Sequence, residues 1–130
     1  MIGRHAHGPS PYEESIGFSR ALRVGPTTAV SGTGPVEPDG SSTLGDVTAQ
    51  ARRCFEIVLD ALREVGVPPR DVIRTRMYLV DPADAEAVGA VHRETFGAIT
   101  PAATMVIVKG LLRPEWRVEV EADAYSPDFK

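Results

Sequence analysis

The sequence predicts a single α+β domain in which two helices cover one face of a mixed sheet, with the order β-β-α-β-α-β-β. Two stretches place apolar residues at the 3.6-residue period of a helix, and short β-branched runs flank and separate them. Residues 117–124 alternate strictly between charged and apolar, as a half-buried strand does. A chain of 130 residues suits one domain and can bury a core without metal or disulfide support.

Residues 1–15 are rich in Gly, Pro, Ser and charge, which predicts an N-terminal arm or loop ahead of a domain over residues 16–126. Residues 127–130 are then a C-terminal tail. His5 and His7 stand two residues apart, a spacing that two ligands of one metal can have. No third ligand lies nearby in the sequence, so we predict no metal site there.

The first two predicted strands are Ile16–Val24 and Thr27–Thr33. Gly25-Pro26 between them is a turn signal, so the pair is predicted to be a hairpin. The second strand ends in a run that contains Gly32 and Gly34, where something can approach the backbone closely. The run lacks the glycine spacing and the lysine of a phosphate loop.

The first helix is predicted to start after Asp46, a good N-cap residue, and to end at Gly66 with Pro68 beyond. Cys54 lies within its apolar stripe, which favours an inert core residue over a nucleophile. The stripe consists of Val47, Ala51, Cys54, Phe55, Val58, Leu59, Leu62 and Val65.

Val72–Val80 is the third predicted strand, and Asp81 with Pro82 begins the second helix. His92 lies beside the buried stripe of that helix, where both a structural and a catalytic role are open. The strand is predicted to present Ile73, Thr75, Met77 and Leu79 on one face, and the helix to bury Ala85, Val88, Val91 and Phe96.

The last two strands, Thr104–Val108 and Arg117–Ala124, are predicted to fold back on each other as a hairpin. The second strand places Glu119, Glu121 and Asp123 on one face, opposite an apolar face. Carboxylates in a row repel, so solvent, basic partners or a ligand site must offset them. The sheet face away from the helices is half apolar, which favours burial against another subunit.

Composition excludes several classes of protein. Apolar residues make up 42% and charged residues 25% of the chain, as in ordinary globular proteins, so disorder is not expected. The net charge of −4 argues against a nucleic-acid partner. The single cysteine leaves no internal disulfide, and no apolar run approaches a membrane span of roughly 18 residues. The N-terminus has no apolar signal core, so a cytoplasmic enzyme or binding protein is expected.

An ordered set of short motifs resembles the reactive intermediate deaminase (Rid) family, also called YjgF or L-PSP proteins, from Ile16 to Tyr125. No single motif is specific, but the whole set occurs in register. Its members are Phe18-Ser19-Arg20-Ala21, Val30-Ser31-Gly32-Thr33, Asp46-Val47 with Gln50, Asp71-Val72-Ile73-Arg74, Val80-Asp81, Phe96, Pro101-Ala102 and Val118-Glu119-Val120-Glu121-Ala122.

The resemblance implies a chorismate-mutase-like fold and a homotrimer whose sheets form a central barrel, with ligand clefts between subunits. Deaminase members of the family hydrolyse imines and enamines such as 2-aminoacrylate, without metal or cofactor. In these members an arginine pairs with the substrate carboxylate and a glutamate positions a water. A bidentate arginine suits a carboxylate, and an imine carbon is electrophilic enough for a placed water.

The resemblance carries over some functional residues and not others. Glu121 is assigned to the glutamate position, and Ser31 and Gly32 also match the family. Four positions depart from it: Ala103 replaces the carboxylate-binding arginine, Phe18 a tyrosine, Gly89 an asparagine, and His92 a nearby tyrosine. The cleft is therefore expected to persist while the clamp for a carboxylate is lost.

Two hypotheses follow. In the first, a cofactor-free homotrimer hydrolyses an imine, an enamine or a related metabolite but is not a standard 2-aminoacrylate deaminase. Glu121 then positions water, His92 adds acid–base capacity, and Arg20 or Arg76 supplies the missing positive charge. In the second, the trimer is a non-catalytic small-molecule binder or regulator, and Glu121 forms an inter-subunit salt bridge. The acidic charge balance disfavours the endoribonuclease activity attributed to some members.

Overall fold

The computed structural model describes residues 3–127 and shows a six-stranded mixed sheet with two long helices packed on one face. Met1 and Ile2 of the predicted arm, and residues 128–130 of the predicted tail, lie outside the described residues. The elements are β1 (Arg4–Ala6), β2 (Ala21–Val24), β3 (Thr27–Thr33), α1 (Val47–Glu64), β4 (Val72–Leu79), α2 (Ala85–Phe96), β5 (Ala102–Ile107) and β6 (Val118–Tyr125).

The strand order is β1-β2-β3-β6-β4-β5, so the predicted hairpin of the last two strands is wrong. β5 pairs in parallel with β4, whereas β6 lies between β3 and β4 and is antiparallel to both. Residues 108–117 connect β5 to β6 and let the chain pass β4. β6 therefore lies in the middle of the sheet, where its backbone N–H and C=O groups on both sides are paired with neighbouring strands.

The N-terminal segment also differs from the prediction, because Arg4–Ala6 forms a strand and not a loop. β1 pairs antiparallel with β2, and Ala6 is fully buried. The predicted strand from Ile16 starts only at Ala21, since Glu13–Gly17 forms a short helical turn. Gly17 ends this turn at φ +91°, a conformation that glycine adopts without strain.

A bulge changes which residues of β4 face the helices. The pairing of β4 with β6 shifts between Val72 and Arg74, so Val72 is buried while Ile73 is 55% exposed. The sequence placed Ile73 on the same face as Thr75, Met77 and Leu79, and Val72 on the other. In the structure Thr75, Met77 and Leu79 are buried, so Val72 shares their face and Ile73 does not.

α1 begins and ends at the predicted signals, whereas α2 begins at Ala85, one short turn after the predicted start at Asp81 and Pro82. The Asp46 side chain accepts a hydrogen bond from the Ala49 amide, and Gly66 follows α1 at φ +73°. Asp81 accepts from the Ala83 amide and precedes the turn Pro82–Asp84 that leads into α2. Cys54 is fully buried on α1, and burial raises the pKa of its thiol. It is the core residue that the sequence predicted.

The strict alternation of β6 is confirmed by burial. Val118, Val120, Ala122 and Ala124 are buried under the helices, while Glu119, Glu121 and Asp123 face the other side and are partly exposed. Within residues 3–127 no helix combines the length and the apolar character that a membrane span requires.

Candidate functional site

The structure divides the predicted site residues into two groups at different places in the sheet. The first, here called the Gly32 group, lies around β2 and β3 next to β6 and contains Phe18, Arg20, Ser31, Gly32 and, as the structure shows, Glu119. The second, here called the His92 group, lies on α2 and the edge strand β5 and contains Gly89, His92 and Ala103. β6 and β4 lie between β3 and β5.

Gly32 stands where the pairing of β3 with β6 is irregular, between Val30 and Thr33. A Cβ placed on Gly32 would lie 2.7 Å from Glu119 Oε2, nearer than side chains tolerate. The absence of a side chain at Gly32 therefore lets the Glu119 carboxylate lie against the backbone of β3. The neighbouring Ser31 hydroxyl is bonded to the Ser19 carbonyl at 2.7 Å, which holds this part of β3 to the start of β2.

Arg20 is 3% exposed and is held on two sides. Its Nε donates to Glu13 Oε2 at 3.2 Å, and its Nη1 donates to the Gly32 carbonyl and, at 3.1 Å, to Thr33 Oγ1. The guanidinium also lies over the Phe18 ring, 5.1 Å from its centre. Nη2 makes no hydrogen bond to any group within residues 3–127.

Glu119 is a carboxylate with a perturbed environment. Burial raises its pKa, the positive charge of Arg20 opposes that rise, and the negative charge of Glu121 adds to it. A carboxylate whose pKa is raised is a better proton acceptor than one in free solution. Glu119 is therefore a partly buried carboxylate that holds a proton more readily than an exposed one.

Glu121, which the sequence assigned to that role, is engaged by two side chains of its own subunit. Its Oε1 accepts from the Tyr78 hydroxyl at 2.6 Å and from Arg76 Nη1 at 3.4 Å. Arg76 also donates to Asp123 at 3.1 Å, and this bond raises the pKa of the guanidinium. The hydrogen bond to Glu121 likewise raises the pKa of the Tyr78 hydroxyl. Arg76 and Tyr78 thus offset the row of carboxylates, and Arg76 is bound to carboxylates of β6.

The His92 group lies on the helix side of the sheet. His92 Nε2 is 2.7 Å from Thr75 Oγ1, and the ring packs edge-on against Phe55. Burial lowers the pKa of His92, which favours the neutral imidazole. Ala103 pairs with Thr75 in the β4–β5 register, and a Cβ on Gly89 would meet no atom within 4 Å. The three residues of the His92 group therefore carry no fixed charge, and there is open space beside Gly89 on α2.

Glu121 and His92 do not lie together within one subunit. Glu121 pairs in register with Arg76, on the face away from the helices, whereas Thr75, the partner of His92, faces the helices. Glu121 and His92, both predicted to be catalytic in a cleft between subunits, thus lie on opposite faces of the sheet within one chain.

The two N-terminal histidines have other partners. His5 Nδ1 is 2.7 Å from Ser19 Oγ, and His7 Nδ1 is 3.4 Å from Glu13 Oε1. Within residues 3–127 no group of three or more His, Cys, Asp or Glu side chains is arranged to hold a metal ion.

Comparison with known proteins gives the class and the family. A family model described as endoribonuclease L-PSP matches residues 10–126. A crystal structure of a YjgF/YER057c/UK114 family member from Mycobacterium tuberculosis superimposes with a TM-score of 0.87 at 37% identity, over 95% of this chain and 99% of that one. The fold is thus the YjgF type of α+β fold, as predicted. The chain belongs to the endoribonuclease L-PSP family, the Rid or YjgF proteins.

Two sequence relatives give further context. An uncharacterized protein of Streptomyces coelicolor is 36% identical over 122 residues, which are 94% of this chain and 91% of that protein. A protein of Salmonella typhimurium named 2-iminobutanoate/2-iminopropanoate deaminase is 29% identical over 110 residues, 82% of this chain and 85% of the relative.

The sequence analysis missed the particular position of Glu119. The alternation in β6 places Glu119 and Glu121 on the same face, so the pattern alone treats them equally. The distinction comes from the pairing of β3 with β6, which sets Thr33 opposite Val120 and brings Gly32 to Glu119. A glycine in a strand rich in β-branched residues was the available signal of a close approach.

Proposed function

We propose that the protein is a cofactor-free hydrolase of imines or enamines, with clefts between the subunits of a cytoplasmic homotrimer, and that its substrates lack the carboxylate of an imino acid. The observation that carries the proposal is the partly buried Glu119 carboxylate, whose pKa is raised and which lies against Gly32 beside Arg20. Family membership and the Salmonella typhimurium deaminase relative support the reaction class.

The reaction needs a base, a placed water and a route for two protons. Glu119 accepts a proton as the oxygen of the water bonds to the imine carbon, and the C=N π pair moves to nitrogen, which then takes that proton to give the neutral carbinolamine. The hydroxyl proton passes through Glu119 to the same nitrogen as the C–N bond breaks and C=O forms, so ammonia and a carbonyl product leave and one water is consumed. An enamine enters the same route after protonation of its carbon gives the imine.

Two features support a cleft between subunits. The His92 group includes the edge strand β5, and the Gly32 group lies around β3 with β6 and β4 between them, so a second copy packed against this edge can bring its Gly32 group against the His92 group. On the edge strand β5, the side chain of Val106 is 40% exposed and that of Ile107 is 47% exposed. Apolar side chains on an exposed edge strand are typical of a surface that another subunit covers.

The preference for substrates without a carboxylate rests on the His92 group. Ala103 stands at the position of the carboxylate-binding arginine of the deaminase members, and His92 favours its neutral form. Gly89 adds space without charge. None of these three supplies the fixed positive charge that an imino-acid carboxylate needs.

The test compares hydrolysis of the imine of pyruvamide with that of the imine of pyruvate, each formed by condensation with ammonia. We expect wild-type protein to accelerate return of the pyruvamide imine to the ketone, and Glu119→Gln to lose about 100-fold or more of that acceleration. Light scattering of the same sample should give the mass of three chains. No acceleration of either imine, or a stable monomer, would refute the proposal.

A non-catalytic small-molecule binder or regulator is the second candidate. The observations that favour it are Ala103 and Phe18, which remove two polar groups found in the deaminase members, and the engagement of Glu121 by Tyr78 and Arg76. Ligand-induced stabilisation without turnover distinguishes this candidate from an enzyme. RNA cleavage is disfavoured by the net charge of −4.

A further inference from the structure

The Thr75 hydroxyl has one hydrogen-bond partner within residues 3–127, the imidazole of His92. Thr75 lies on β4 beneath the helices and is fully buried, and its Oγ1 is 2.7 Å from His92 Nε2. A buried hydroxyl whose proton has no acceptor destabilises the folded protein. We therefore expect the Thr75 O–H to donate to His92 Nε2.

This hydrogen bond decides which nitrogen of His92 carries the proton. A neutral imidazole has one N–H donor and one acceptor nitrogen, so a ring that accepts at Nε2 is protonated at Nδ1. The opposite tautomer would make Thr75 the acceptor and leave the hydroxyl proton buried without a partner. Burial lowers the pKa of His92, which keeps the ring neutral near pH 7.

The Nδ1 atom of His92 is accessible. It makes no hydrogen bond within residues 3–127, yet the only buried side-chain N or O atoms without a partner there are Thr28 Oγ1 and Ser126 Oγ. Nδ1 therefore reaches the protein surface. Two neighbouring positions have little or no side chain to cover it. Gly89 lies three residues earlier on the same face of α2, with no atom within 4 Å of a Cβ, and Ala103 is exposed on β5.

We propose that Thr75 is a positioning residue that holds His92 in the Nδ1–H tautomer, so that His92 presents a neutral N–H donor, and not a base, to a ligand at the edge of β5. The inference rests on the proposed function and deepens it. It names the substrates as neutral imines or enamines that carry a carbonyl or hydroxyl oxygen to accept from this N–H. The His92 group has no fixed positive charge that would favour a carboxylate in its place.

The first test reads the tautomer of His92 from proton–nitrogen correlation spectra of the imidazole at about pH 8, where the ring is neutral. The chain has three histidines, and His92→Gln identifies the signals of His92. We expect the Nδ1–H form to exceed the Nε2–H form by about tenfold or more in wild-type protein. Thr75→Val keeps the branched shape without the donor, so this ratio should fall by about tenfold. Thr75→Ser should keep the wild-type ratio.

Thr95→Val is the matched control. Thr95 lies on the same helix as His92, but its hydroxyl donates to the Val91 carbonyl at 3.1 Å, so its loss should leave the tautomer ratio unchanged. A wild-type spectrum dominated by the Nε2–H form would overturn the inference without any variant. An unchanged ratio in a folded Thr75→Val protein would overturn it as well.

The second test measures hydrolysis of the pyruvamide imine. Thr75→Val leaves Glu119 in place and removes the donor to the substrate oxygen, so KM should rise by about three- to tenfold while kcat changes within about threefold. Thr75→Ser should restore the wild-type KM. An unchanged KM in a Thr75→Val protein whose tautomer has shifted would overturn the binding role of His92. An Nδ1–H tautomer in a wild-type protein that hydrolyses no imine would support the positioning by Thr75 and count against the proposed reaction alone.

Discussion

The Glu119 carboxylate lies against the backbone of Gly32, so close that a Cβ on Gly32 would stand 2.7 Å from Glu119 Oε2. The contact joins the central strand β6 to β3, and the Gly32 carbonyl at the same point accepts from Arg20. Gly32 therefore has both a carboxylate and a guanidinium as neighbours. This arrangement sets the position of Glu119, the only carboxylate within residues 3–127 whose pKa is clearly raised.

Gly32→Ala should move that carboxylate and lower activity. The added methyl cannot coexist with Glu119 Oε2 in its present position, so the side chain must shift out of the site. We expect kcat for imine hydrolysis to fall by about tenfold or more, with a smaller change in KM. Gly110→Ala is the control, since its Cβ would meet no atom within 4 Å. Equal kinetics for the two variants would contradict the positioning role of Gly32.

Ala103→Arg should restore recognition of a carboxylate. Ala103 pairs with Thr75 on the edge strand, where a long side chain can extend without entering the core. A new guanidinium there offers the bidentate donor that the His92 group lacks, so kcat/KM for the imine of pyruvate should rise by about tenfold or more. Ala103→Gln controls for added bulk. If the arginine variant gains no more than the glutamine variant, charge at this position does not determine specificity.

Glu119→Gln should stabilise the protein, and more so at neutral than at acidic pH. Burial raises the pKa of Glu119 above its ordinary value of 4.5, so the folded state disfavours the ionised form. The buried charge of Glu119 lowers the free energy of unfolding of the wild-type protein above the folded-state pKa. This loss disappears as pH falls below 4.5, where the carboxyl is neutral in both the folded and the unfolded state. In thermal melts, the Tm of Glu119→Gln should exceed that of wild type by about 1–3 °C near pH 7.5, and the two Tm values should become equal near pH 4. A gap that widens on acidification would contradict the burial of this charge.

His92 should make stability fall on mild acidification. Burial lowers its pKa below the ordinary value of 6.5, so the unfolded chain binds the proton more readily than the folded one. Above pH 6.5 the imidazole is neutral in both the folded and the unfolded state, so it costs the fold nothing. As pH falls below 6.5 the unfolded chain takes up the proton first, and the free energy of unfolding decreases. Compared with His92→Gln, wild-type protein should therefore lose denaturation free energy between about pH 7.5 and pH 5.5. A parallel pH dependence of the two proteins would contradict the environment described for His92.

The sequence predicted the local structure well where one residue or one period determines it. Asp46 and Gly66 mark the ends of α1, and the alternation in β6 matches its burial. These features depend on neighbours a few residues away. The sheet order depends on which strands pair across the chain, and nothing in residues 108–117 tells whether β6 returns to β5 or passes beyond β4. The hairpin prediction therefore failed there.

Irregular pairing explains most of the remaining differences. The shift near Val72 reverses the faces of the first two residues of β4, and the shift between Val30 and Thr33 brings Gly32 to Glu119. A one-residue change in register exchanges the two faces of a strand, and periodicity cannot locate such a change. The buried pair of Glu13 and Arg20 was missed for a related reason, since the turn that carries Glu13 was read as part of a loop.

The most direct test of the central claim compares Glu119→Gln with Glu121→Gln in hydrolysis of the pyruvamide imine. The two residues share one strand and one face, but only Glu119 contacts Gly32, while Glu121 is bonded to Tyr78. We predict a loss of about 100-fold or more in kcat for Glu119→Gln, and a change within about threefold for Glu121→Gln. A full rate in Glu119→Gln, or an equal loss in Glu121→Gln, would contradict the account.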